Sequence, residues 1–314
     1  MSTAGITSMT TVAGQAAGLA ERPVTSEYTA AKARSRRRKG SGAAVRTGIQ
    51  AALIAIWCLL PFYWMIVIGL RDPDFTRDPN PLPVHLTFEN YISAFDTANG
   101  NYLGRALLNS FGICAVVTII ALVVGISASY ALARLSFIGK GLIVGFILGA
   151  SMFPGVALLT PLFQLFTNLG WAGQYQVLII PYIAGALPLT VYTLNSFFRE
   201  MPWDLEEAAR IDGCTPAQAF RIVILPLAAP AVFTTAILAF IASWNEYLLV
   251  SVLGNDDIQT VTYAIAKFTG SIPRVQPYTT IMAAGTIVTV PLIILVLVFQ
   301  RRIVAGLTAG GVKG

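Results

Sequence analysis

Residues 207–213 read Glu207-Ala208-Ala209-Arg210-Ile211-Asp212-Gly213, and Val223-Ile224-Leu225-Pro226 follow shortly after. This charged, glycine-broken stretch lies between two apolar runs, at about 175–198 and 227–252, each long enough to cross a bilayer. A polar insert between such runs must leave the hydrocarbon, so it is expected to protrude as a compact knob. Its local grammar is helical. Pro202 suits a first helical position, and Asp204, Glu206 and Glu207 crowd the positive end of a helix. Leu205, Ala208, Ala209 and Asp212 fall on one stripe at i, i+3, i+4 and i+7. Gly213 stands where a left-handed residue ends the helix, and Thr215-Pro216 restart one as N-cap and N1. Ala219, Phe220, Ile222 and Val223 then run to Leu225-Pro226 at the membrane. The pattern predicts two short helices over about 202–224, with the two alanines forming a smooth face for a partner groove. On local grammar alone, an ordinary capped surface helix fits as well.

Composition sets the class. The chain has 314 residues, of which 55% are hydrophobic and 11% charged, and its mean hydropathy is +0.69. A soluble domain carries roughly 25% charged residues. Membrane-length apolar windows occur at about 48–70, 107–133, 141–163, 175–198, 227–252 and 280–303. The expected fold is therefore all-α: a polytopic membrane protein with six transmembrane helices. Lys and Arg concentrate before the first window, beside the 207–213 knob, at Arg134 and Lys140, and at the C-terminus. The alternate loops hold only Arg71, Arg77, Arg105, Lys267 and Arg274. The positive-inside rule then makes both termini cytoplasmic, in a multi-pass protein of the cell membrane. The pI near 9.3 calls for anionic lipids and no nucleic acid.

The chain divides into a basic, mobile cytoplasmic tail at 1–44 and a transmembrane domain at 45–314, with a cytoplasmic C-terminal tail from 304. The first 44 residues lack the apolar core of a cleavable signal. Between the first two windows, prolines predict extended chain, followed by a short helix from Thr87 to Phe95. Its apolar residues Phe88, Tyr91, Ile92 and Phe95 share a face expected to pack on the bundle. Gly112, Gly125, Ser127 and Ser129 in the second window, and Gly145, Gly149, Ser151 and Gly155 in the third, allow close helix approach at the bundle centre or at a partner. Pro154, Pro161, Pro181 and Pro188 either kink their helices or free carbonyls along a wet path. Cys58, Cys114 and Cys214 read as small fillers.

Glu246, in Trp244-Asn245-Glu246-Tyr247 of the fifth window, is the one acidic side chain within a span. It either lines or gates a translocation path, with Asn245 and Tyr247 offering polar and stacking contacts, or it anchors the fifth span to the next loop. No catalytic constellation and no metal cluster is expected, since His85 is the sole histidine. No Walker phosphate cradle occurs, because Gly139-Lys140 is followed by Gly141.

The spacing of the 207–226 segment resembles the cytoplasmic loop of ATP-binding-cassette importer permeases, with Val223 where that family usually has Ile. Asn90-Tyr91 with Ala94-Phe95, the 244–247 motif and the tail from Gly306 to Gly314 extend the resemblance over about 47–314. The chain looks like the smaller permease of the maltose type, and as a whole it is similar to the permeases of trehalose importers. The resemblance implies a type I importer permease architecture with a disaccharide such as trehalose as cargo. It implies a second homologous permease, a dimer of ATP-binding subunits that holds the ATP and Mg, and an extracytoplasmic sugar-binding lipoprotein. It assigns ATPase coupling to Glu206, Glu207, Ala208, Ala209, Asp212, Gly213 and Pro226. Gly310, Gly311 and Lys313 would reach into the ATPase dimer, and the 254–279 loop would probe the binding protein. The chain would bind no cofactor itself. A stand-alone secondary transporter or channel is the rival class, and it leaves the knob unexplained.

Overall fold

The computed structural model describes residues 24–75, 78, 80–82, 84–268 and 277–309, with side chains described between 45 and 300 except at 99. Contacts divide the chain into two units, Met1–Pro61 and Phe62–Gly314. Helix α1 spans Val24–Gly69. It starts upstream of the expected boundary at 45 and takes in the basic run from Arg34 to Lys39. The Ala-, Lys- and Arg-rich composition there favours helix. Residues 1–23 lie outside the described residues.

The second unit contains α2 (Glu89–Ser93), α3 (Leu103–Arg134), α4 (Lys140–Ser151), α5 (Leu159–Asn168) and α6 (Gln176–Glu200). It continues with α7 (Asp204–Ile211), α8 (Pro216–Ala219), α9 (Leu225–Trp244), α10 (Leu248–Leu253), α11 (Val261–Ala266) and α12 (Tyr278–Ala309). Among the described residues no strand forms beyond an isolated bridge between Arg71 and Leu86. Among the described residues five helices are long and apolar enough to cross a membrane, and six spans result if α4 and α5 count as one bent span.

Two expected spans differ from the structure. The third is broken: a 3-10 turn at Gly155–Leu158 precedes α5, and the two halves lie at 88°. Pro154 has an extended backbone, and its ring disfavours helix at Phe153. The fifth ends at Trp244 with Asn245 as its C-cap, short of the expected 252. Glu246 therefore sits in the break between α9 and α10.

Helix α3 is central, packing on α6, α9 and α11. Ile113, Val117 and Ala121 meet Val177, Leu178 and Tyr182 of α6 and Val250 and Leu253 of α10 in one buried cluster. A Cβ on Gly125 would collide with the Thr190 side chain, so α3 and α6 approach as only glycine allows. The Asn195 amide donates to the Ser129 carbonyl at 3.2 Å across the same seam. The small residues of the third window behave otherwise. Gly145, Gly149 and Gly155 face open space, and α4 buries no residue within this chain.

The expected 87–95 helix is present as α2, with Thr87 accepting from the Glu89 N–H at 3.1 Å. Its packed face is the reverse of the expected one: Asn90 and Ala94 are buried while Phe88 and Ile92 are exposed. The end of α1 explains this, because its last carbonyls need donors. The Asn90 amide donates to the Gly69 carbonyl at the end of α1 and to the Arg71 carbonyl just beyond it, at 3.0 and 2.7 Å. Buried Arg71 in turn donates to the carbonyls of Asp78 and Asn80.

Candidate functional site

The knob forms at one end of the bundle. Helix α7 ends in a Schellman turn: the Cys214 N–H bonds the Ala209 carbonyl at 3.0 Å, and the Gly213 N–H bonds that of Arg210 at 3.1 Å. Gly213 has φ +92°, and Asp212 is the C-cap. Thr215 and Gln218 close a reciprocal capping box on α8, with Pro216 at its start. Pro202 lies ahead of α7, whose N-cap is Trp203, and so does not occupy the first helical position. The second arm is not a separate helix. A π turn at Phe220–Ile224 joins α8 to α9, leaving Pro226 exposed in the first turn of α9. The π turn sits where Pro226 removes a donor and crowds the preceding carbonyls.

The outward surface of the knob carries Glu207, Ala208, Ile211, Asp212 and Gly213, with Ile211 86% exposed. The two alanines divide. Ala208 is exposed, whereas Ala209 is buried, because adjacent helical positions are about 100° apart and cannot share a contact line. Glu206 also turns inward, its side chain 13% exposed. It faces Arg134 at the last turn of α3, which sequence reading treated only as a topological charge. The Arg134 side chain is 2% exposed. Its Nη2 donates to the Met201 carbonyl at 3.0 Å, and its guanidinium lies 4.4 Å over the Trp203 ring. The Arg134 Nε and the Glu206 Oε2 are 3.9 Å apart, so they attract without sharing a hydrogen bond. Below them Tyr130, Leu194, Phe198, Phe220, Ile224 and Ala228 pack α3, α6, the π turn and α9 together.

At the opposite end, Glu246 is held in a clasp. Its Oε2 accepts from the Tyr182 hydroxyl at 2.8 Å, and its Oε1 accepts from the Leu249 N–H at 2.8 Å. The carboxylate thus caps α10 and binds it to α6. The Thr262 hydroxyl donates to the Glu246 carbonyl at 2.7 Å, adding α11. Asn245 is exposed and its amide bonds the Ile241 carbonyl at 2.9 Å. Tyr247 lines an open cleft of about 400 Å³ with Thr262, Ile265, Ala266, Phe268 and Ile281. The loop after α10 folds inward onto α3. The Asn109 amide donates to the Asp257 and Gln259 carbonyls at 2.9 and 3.1 Å, and Ser110 accepts from the Val261 N–H at 2.9 Å. On its surface, a hydrogen bond to Asp256 raises the Lys267 ammonium pKa, although so exposed a pair is worth little. Residues 269–276, part of the 254–279 loop, and the tail residues Gly310, Gly311 and Lys313 lie outside the described residues. The knob and the clasp stand at opposite ends of α9, whose 20 residues span about 30 Å.

A family described as "Binding-protein-dependent transport system inner membrane component" matches residues 121–308. The chain is 46% identical to the trehalose transport system permease protein SugB of Mycobacterium tuberculosis, covering 88% of this chain and all of that one. It is 42% identical to the trehalose/maltose transport system permease protein MalG of Thermococcus litoralis, covering 85% and 95%. A solved bacterial ABC transporter that imports the polysaccharide alginate shares the fold. It has a TM-score of 0.66 and 23% identity, over 85% of this chain and 97% of that one. This chain therefore belongs to the binding-protein-dependent inner membrane components, the multi-pass permease subunits of ATP-binding-cassette importers, which work with a separate ATPase, a partner permease and a substrate-binding protein.

Proposed function

We infer that the chain is the permease of a disaccharide importer of the trehalose–maltose type, and that its α7–α8 knob is the seat of the ATPase. The observation that carries this reading is the knob itself. It has a rigid Schellman turn and capping box, an outward face of Glu207, Ala208 and Ile211, and an apolar root shared by α3, α6 and α9. The two trehalose permeases among its relatives support the cargo. The cations at Arg134, Lys140, Arg199, Arg210 and Arg221 support a cytoplasmic knob. Closure of an ATPase dimer around ATP and Mg draws two such knobs together, and the spans swing as rigid bodies between inward- and outward-open states. By the family resemblance, Gly310, Gly311 and Lys313 are further candidates for contact with that dimer. The open glycine face of α4 suits a second permease, and the end bearing α2, α10 and α11 suits a sugar-binding protein. Tyr247, with Asn245 beside it, gives the outer mouth an aromatic surface for a sugar ring.

The test is a complex of both permeases, ATPase and binding protein in proteoliposomes. Trehalose-loaded binding protein is expected to stimulate ATP hydrolysis and trehalose uptake. Stimulation by an unrelated solute and not by trehalose rules out the cargo, and failure of any ATPase to co-purify with the chain rules out the docking role.

A further inference from the structure

We propose that Arg134 is the positioning residue through which movement of α7 reaches the rest of the permease: a buried clamp that fastens the α6–α7 hinge to α3. This rests on the reading of α7–α8 as the ATPase seat.

Three helices meet the root of the knob, and two are poor levers. Helix α6 is joined to α7 through Met201, whose backbone is extended (φ −71°, ψ 131°), and it contains Pro181 and Pro188. Helix α9 starts after a π turn and contains Pro230. Each feature interrupts the hydrogen-bond ladder and gives a place to bend. Helix α3 runs 32 residues with no proline. It is the stiff element, yet it does not adjoin α7 in the chain and needs a non-covalent link to it.

Arg134 supplies that link at three points of the hinge. It holds the Met201 carbonyl, it covers the Trp203 ring, and it faces the Glu206 carboxylate on the first turns of α7. Arginine suits the place because its planar fork is weakly hydrated and serves several partners at once. Desolvating a cation is costly, and the carbonyl, ring and carboxylate together offset that cost. The Arg134 Nε and Nη1 and the Glu206 Oε2 make no hydrogen bond among the described residues. Their pair is therefore engaged but not shut, and a shift of about 1 Å would close it to hydrogen-bond distance. At its other end α3 holds the 257–261 loop through Asn109 and Ser110, and that loop leads directly into α11, which lines the Tyr247 cleft. A push on α7 is thereby delivered along one rigid rod to the opposite mouth.

The experiment reads uptake per ATP hydrolysed in the complete reconstituted transporter. Arg134→Lys keeps the charge and loses the fork, and Glu206→Gln keeps the shape and loses the charge. Uptake per ATP is expected to fall about five-fold or more in Arg134→Lys and in the same direction in Glu206→Gln. The double variant should be little worse than Arg134→Lys, since both act on one link. An unchanged ratio in both variants, even with slower rates, overturns the clamp and leaves a merely stabilising contact. If either variant fails to assemble, Trp203→Leu removes only the ring face, and its ratio decides in the same way. Glu207→Lys separates this inference from the one beneath it. Normal ATPase retention in Glu207→Lys removes the docking reading, whereas lost retention there with an unchanged ratio in Arg134→Lys removes the clamp alone.

Discussion

The Tyr182 hydroxyl lies 2.8 Å from a carboxylate oxygen of Glu246, joining α6 to the break between α9 and α10. With the Leu249 N–H on the other oxygen, this carboxylate ties α6 to the start of α10. Tyr182→Phe should lower stability by about 1.5–3 kcal/mol, the usual worth of a hydrogen bond to a charged group. Glu246→Gln should be milder, because the amide can donate to Tyr182 while its oxygen still caps α10. Glu246→Leu should cost most. Thermal unfolding of the purified complex reads the order, and equal melting of all three with wild type shows that the clasp contributes nothing.

Gly213 tests the knob. A Cβ there meets no atom within 4 Å, so any penalty comes from its φ of +92° and not from a clash. Gly213→Ala should cost about 1 kcal/mol, and Gly213→Val more, since β-branching resists positive φ. Both variants should insert normally. Substrate-stimulated ATP hydrolysis should decline from Gly213→Ala to Gly213→Val, and wild-type rates in Gly213→Val would mean that the turn geometry does not matter for coupling.

The α3–α6 seam is tested at Gly125. Gly125→Ala pushes a methyl into the Thr190 side chain and should destabilise by about 1–3 kcal/mol. Thr190→Ser removes the obstructing methyl and keeps a hydroxyl able to bond the Ala186 carbonyl, as Thr190 does at 2.8 Å. The double variant should therefore regain much of the loss. If Thr190→Ser rescues nothing, the two residues do not form the close approach in the assembled transporter.

Orientation is read by thiol labelling in a cysteine-free background. Thr97→Cys, beyond α2, should react with an impermeant reagent from outside, and Ala217→Cys on α8 should react only after permeabilisation. Both positions are exposed. The opposite pattern puts the knob out of reach of an ATPase.

Much of the knob was legible because its rules are local. Gly213 needs a left-handed backbone, and Thr215-Pro216 mark a helix start from adjacent residues alone. The spans were legible from hydropathy for the same reason. Their ends were less so. Apolar residues continue through Leu248, Leu249 and Val250, so hydropathy could not reveal that Glu246 caps a new helix there. Nor could it distinguish a straight third span from one bent at Pro154, because proline both kinks and breaks helices.

The sequence by itself determined the helical class, the approximate positions of the spans and the glycine-ended turn of the knob, since each follows from bilayer thickness and short-range backbone chemistry. Only the tertiary structure decided which side of each helix is used. It turned Ala209 and Glu206 inward, set Asn90 on the α1 carbonyls, and brought Arg134 to Met201, 67 positions away in the chain. Such pairings depend on how helices cross, and helix packing in a membrane is governed by close contacts and polar partners that periodicity does not encode.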